Sequence, residues 1–152
     1  MHLVFKYNDG GKWKAGYRGN SGDCACRAIA IATGKPYREV YDELNLAAKC
    51  ERRSKNSQDK SSARGGMYQT TVRRYLKALG WKWIPTMTIG SGCRIHLRAD
   101  ELPMGRIIVR VSKHVTCMID GIINDTFNPD RQGLRCVYGY WTQEPKGKGN
   151  EQ

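Results

Sequence analysis

The hydrophobic pattern of this 152-residue chain changes period once, at Gly80, and that change constrains its fold class. Between residue 23 and Gly80 the apolar residues recur at helical spacing. Tyr37, Val40, Tyr41 and Leu44 fall at i, i+3, i+4 and i+7 behind Pro36, and Tyr68, Val72, Tyr75, Leu76 and Leu79 share one face that stops at Gly80. Upstream, residues 23–33 read as a helix that Ser21 or Asp23 can cap and Gly34 can end. Its Ala-Cys-Arg-Ala-Ile-Ala-Ile-Ala run is apolar nearly all round, which marks a central buried helix. After Gly80 the pattern turns to short strands at 81–84, 106–111, 115–119, 122–127 and 135–141, and residues 1–9 add one more at the start. Helices first and strands afterwards predict an α+β fold. A buried N-terminal helix should pack on a C-terminal antiparallel β-sheet.

The expected organisation is a single domain over residues 1–142, interrupted by a flexible basic loop at 49–66 and followed by a frayed tail at 143–152. No apolar run approaches the roughly 18 residues of a membrane span, and residues 1–9 lack the pattern of a secretory signal. The expected location is therefore cytoplasmic, with no membrane contact. In that setting the six cysteines (24, 26, 50, 93, 117 and 136) read as reduced thiols. Cys24-x-Cys26 and Cys93-x-x-His96 resemble ligand pairs, but no C-x-x-C knuckle accompanies them, so neither a metal nor a cofactor is expected. The 26 basic residues against 14 acidic ones leave a net charge of +12. Such a surface favours acidic partners, whether a protein face or nucleic acid.

Asp120-Gly121 between two alternating segments is the strongest turn signal in the chain and predicts a two-residue hairpin. Ile119 then faces Ile122, Thr116 faces Asp125, and His114 faces Phe127. Residues two apart share a face, so His114 and Asp125 become diagonal neighbours while Asn124 falls on the other side. The hairpin thus selects Asp125 as the partner of His114. Cys24, just past the start of the first helix, supplies a thiol whose ionisation a helix N-terminus and an imidazolium both favour. Cys26 lies about 200° further round the helix and reads as core, as do Cys50, Cys93, Cys117 and Cys136. Thiol, imidazole and carboxylate together suit nucleophilic cleavage of an amide, with the Cys24 amide as one oxyanion donor. Asn20 is the one side-chain amide in the preceding loop and the candidate second donor. Trp13, Tyr17 and Trp141 are candidates to wall a cleft, and His96 has no evident acidic partner.

The order Cys24, His114, Asp125, with a glycine-led loop before a buried helix, resembles the papain-like cysteine peptidases. The chain is similar over most of its length to small bacteriophage proteins of that kind. The stretches that carry this likeness are Gly22-Asp23-Cys24, Arg27-Ala28-Ile29-Ala30, residues 98–103, the hairpin at 114–126 and residues 136–141. The resemblance implies a minimal papain-like fold. It further implies a cysteine hydrolase, peptidase or amidase, phage-encoded and cleaving an amide or isopeptide bond in a host or viral protein. It departs from the family in offering Arg18 and Asn20 where a glutamine usually precedes the cysteine. The alternative is a non-enzymatic basic phage protein that binds nucleic acid or a host factor on a peptidase-like scaffold.

Overall fold

The computed structural model describes residues 3–19, 21–51 and 60–143. In chain order its elements are β1 (Phe5–Tyr7), α1 (Cys24–Thr33), α2 (Tyr37–Ala48), α3 (Gln69–Ala78), β2 (Trp81–Pro85), β3 (Arg106–Val111), β4 (His114–Ile119), β5 (Ile122–Asp125) and β6 (Val137–Gln143). The six strands form one sheet in the order β1-β5-β4-β3-β6-β2. The architecture is α+β, with the helices in the N-terminal half and all strands but β1 after them.

The sheet is mixed, which corrects the antiparallel expectation: β1 runs parallel to β5, with Phe5 opposite Ile123 and Tyr7 opposite Asp125. Alternation in a sequence reports which face a residue occupies and carries no sign of strand direction. Direction here depends on how the chain returns from the helices, a long-range property.

Both faces of the sheet are covered. On one, α1 packs Cys26, Ile29 and its alanines against Ile108, Val115, Cys117 and Trp141. On the other, Ile107, Val109, Val111, Met118 and Ile123 meet Leu97 and Leu102 from the irregular segment before β3. That double covering explains why β3 is nearly continuous in apolar residues. Every residue of α1 from Ala25 to Ala32 is buried, and Gly34 ends the helix at φ 76°, its N–H donating to the Ala30 carbonyl. Fully burying Ile29 contributes about 1.5 to 3 kcal/mol and ties the helix to the sheet centre.

Three further expectations change. Cys93 and Cys136 form a disulfide, so these two are not reduced thiols; the bond and the His96–Cys136 bridge fasten the segment before β3 to the start of β6. His96 does have an acidic partner, since its Nδ1 lies 3.2 Å from Glu101 Oε1. The ends of the basic loop are also held in place. Ser62 and Gly66 pair, the Ala63 N–H donates to Asn45, and Glu51 accepts hydrogen bonds from Ser61 and Thr71. Residues 52–59 of that loop and the tail after residue 143 lie outside the described residues. Among the described residues no helix is long and apolar enough to cross a membrane.

Candidate active site

The β4–β5 hairpin has the expected register, with Ile119 opposite Ile122 and Cys117 opposite Asn124. Both turn residues, Asp120 and Gly121, have positive φ, as the tight two-residue turn requires. Thr116 therefore stands across from Asp125, and His114 opens β4 beside it. His114 Nε2 lies 2.7 Å from Asp125 Oδ2. An ionised carboxylate only accepts, so Nε2 carries the proton and Nδ1 is left to face another group. The Phe127 ring packs on the imidazole at 4.9 Å, again the pairing expected of this register.

Cys24 is the first residue of α1, half-buried at the base of a cleft of about 250 Å³ that His114 also lines. Burial opposes ionisation of its thiol. The neighbouring His114 imidazole, the Val115 backbone amide and the Arg27 charge outweigh burial and hold the thiol below its ordinary value. Burial likewise opposes charge on His114, but Asp125 and Cys24 overcome it and raise the imidazole to about 9. Asp125 is lowered despite its burial, by His114 and by the Thr126 N–H that donates to Oδ1 at 2.7 Å. Each shift favours the charged form of its group. The other buried thiols behave in the opposite way: desolvation pushes Cys26 and Cys117 up to about 12.

Asp23 is not a helix cap. It occupies the N-cap position, but its carboxylate makes no cap hydrogen bond. It is fully buried and accepts instead from the Arg27 guanidinium, from the Tyr37 hydroxyl at 2.6 Å and from Lys12 Nζ at 3.1 Å. Asp23 therefore leaves the first amides of α1 without a side-chain cap among the described residues, and such N–H groups are suited to a developing oxyanion. Arg27 continues the chain of charges, with Nη2 3.5 Å from Asp125 Oδ1. A buried line of alternating charge thus runs from Lys12 through Asp23 and Arg27 to Asp125 and His114. Sequence reasoning missed this role of Arg27. The signal was present, because it is the one charged residue in an otherwise apolar helix, and a buried charge requires partners.

Gly22 closes the near wall of the cleft. A Cβ built there would lie 2.7 Å from the Gly65 carbonyl oxygen, so the loop before Cys24 and the end of the basic loop touch through backbone alone. Arg110, Lys113 and Trp141 line the same cleft. Trp13 and Tyr17 do not belong to this cleft. They line a second, larger groove of about 960 Å³ with Tyr7, Lys12, Arg18 and Phe127. Asn20, the candidate second oxyanion donor, lies outside the described residues. Among those residues no group of three or more His, Cys, Asp and Glu side chains is arranged to hold a metal ion. Comparison of the chain with protein-family models, with curated proteins and with solved structures returns no match.

Proposed function

We propose that this protein is a cysteine hydrolase that cleaves an amide or isopeptide bond, with Cys24 as nucleophile, His114 as general base and acid, and Asp125 as the group that orients the ring. The observation that carries the reading is the His114–Asp125 hydrogen bond beside a thiol at a helix N-terminus. Asp125 holds the proton on Nε2, which leaves Nδ1 to take the thiol proton. The Cys24 thiolate attacks the carbonyl carbon, and the oxyanion forms against the free amides at the start of α1. The imidazolium then protonates the leaving amine, and water releases the acyl group from sulfur.

The likeness to papain-like phage peptidases agrees with this chemistry and extends the proposal to a phage-encoded enzyme acting on a host or viral protein in the host cytoplasm. The Cys93–Cys136 disulfide favours an oxidising compartment. Reduction of that pair in the cytoplasm would not alter the lining of the Cys24 cleft, to which neither residue contributes.

The test is site-resolved alkylation by iodoacetamide at neutral pH, followed by peptide mass mapping. Cys24 should react faster than the exposed Cys50, and His114→Ala should abolish the difference. Equal rates at the two thiols would overturn the hydrolase reading. In that case salt-sensitive nucleic-acid binding unaffected by Cys24→Ala would support the scaffold alternative, which the net charge of +12 favours.

A further inference from the structure

The cations of the described site differ in one respect: some have counter-charges and some do not. Lys12 and Arg27 are paired with Asp23, and Arg27 also with Asp125. The side chains of Arg110 and Lys113, which also line the Cys24 cleft, form no ion pair or hydrogen bond among the described residues. Arg110 lies on β3, on the side of the sheet that faces α1, and is only partly exposed. Its Nε is buried without a hydrogen-bond partner, and so is the indole N–H of Trp141, which lines the same cleft. Burial and the like charge of Arg73 disfavour the Arg110 cation, and the Cys24 thiol and the Tyr138 hydroxyl favour it, neither of them a carboxylate. Lys113 sits in the two-residue turn between β3 and β4, directly before His114, with φ 57°. Glycine or asparagine is the usual occupant of such a position, so a lysine there places an exposed cation on the cleft lining against a backbone preference.

Apart from the Cys24 thiol, no acidic side chain among the described residues pairs with the half-desolvated Arg110 guanidinium, and its planar fork of N–H donors fits a carboxylate in two-point fashion. We infer that the Cys24 cleft binds a carboxylate next to the scissile bond, held by Arg110 and Lys113. This rests on the hydrolase reading and adds the substrate class to it. The carboxylate comes from an Asp or Glu side chain or from a free C-terminus, and both present the same group.

Small alkylating agents read this site without knowledge of the substrate. Iodoacetate and iodoacetamide attack the same sulfur and differ in carrying, or lacking, a carboxylate. The quantity measured is the ratio of their rate constants at Cys24, by peptide mapping, in 0.15 M and 0.5 M salt at a pH where the thiol is fully ionised. At Cys24 the ratio should exceed that of free N-acetylcysteine by about tenfold, the scale of one charge-assisted hydrogen bond. Arg110→Gln and Lys113→Gln should each lower it, while Lys82→Gln, which removes the same charge outside the cleft, should not. A ratio equal to that of the free thiol overturns the inference. So does a raised ratio that ignores both cleft variants or vanishes in 0.5 M salt, since the overall charge alone would then explain it.

Protection of Cys24 against iodoacetamide identifies the source of the carboxylate. N-acetylglutamic acid α-amide offers only a side-chain carboxylate, N-acetylalanine only a terminal one, and N-acetylglutamine amide offers none. Protection by one charged compound and not by the neutral one supports the inference and names the source, whereas equal effects of all three overturn it. Loss of fast Cys24 alkylation by both reagents would instead be failure of the hydrolase reading, a separate result.

Discussion

At Cys24 two opposing effects meet. Burial alone would make the thiol inert, as it does at Cys26 two residues on, but His114, the Val115 amide and Arg27 reverse the outcome. The thiolate of Cys24 should therefore titrate below the ordinary thiol value of 9.0, and His114→Ala should move that titration up, measured as the pH dependence of alkylation. Amide hydrolysis needs the imidazolium as acid, so it should fall above about pH 9 while alkylation continues. Arg27 makes a second prediction. Replacing it with Met leaves the Asp23 and Asp125 carboxylates without their shared cation in a buried setting. The expected cost is about 3 to 5 kcal/mol in chemical denaturation.

Among the elements, the β4–β5 hairpin does most to build the site, because its register alone brings His114 and Asp125 together. A one-residue slip would offer Asn124 to the ring instead of Asp125. Gly121 guards that register: it has φ 81°, and a Cβ on it would lie 2.9 Å from the Ala99 Cβ. Gly121→Ala should cost about 1 to 3 kcal/mol in denaturant unfolding and slow Cys24 alkylation through the displaced His114. Helix α1 is the other half of the site. Its small buried residues let it lie close over the sheet, so its N-terminus delivers Cys24 to the start of β4.

For the whole molecule, the site's protonation is linked to folding. His114 is raised from 6.5 to about 9, so its contribution is complete below pH 6.5 and is lost as pH rises through about 9. Cys24 is lowered from 9.0, so its contribution is present above that value and is lost as pH falls. Between pH 6.5 and 9 the two contributions have opposite sign, so the Cys24 thiol offsets part of the His114 dependence in the wild-type protein. In Cys24→Ala the His114–Asp125 pair acts alone; the imidazole stays raised by Asp125 but loses the part Cys24 supplies, so melting temperature should decline as pH rises above 6.5 and level off before pH 9. Thermal melts at pH 6, 7.5 and 9 check this, and a flat profile in the variant would contradict it.

Much of the molecule is legible along the chain. The change of period at Gly80, the helix ends at Gly34 and Gly80, and the Asp120-Gly121 turn are local signals, and they suffice for the fold class, for the hairpin register and for the choice of Asp125 over Asn124. What the chain leaves open depends on contacts between residues far apart in it. Hydrophobic alternation carries no direction, so the parallel pairing of β1 with β5 had no local sign. Asp23 looks like a cap until Lys12, Tyr37 and Arg27 converge on it, and Cys93 and Cys136 look like separate thiols until folding brings them together. The sequence by itself determined which elements form and which faces they bury, because propensity and periodicity act over a few residues. Only the tertiary structure decided which charges are paired, and that among the described residues Arg110 is not, because pairing depends on where the folded chain brings its charges.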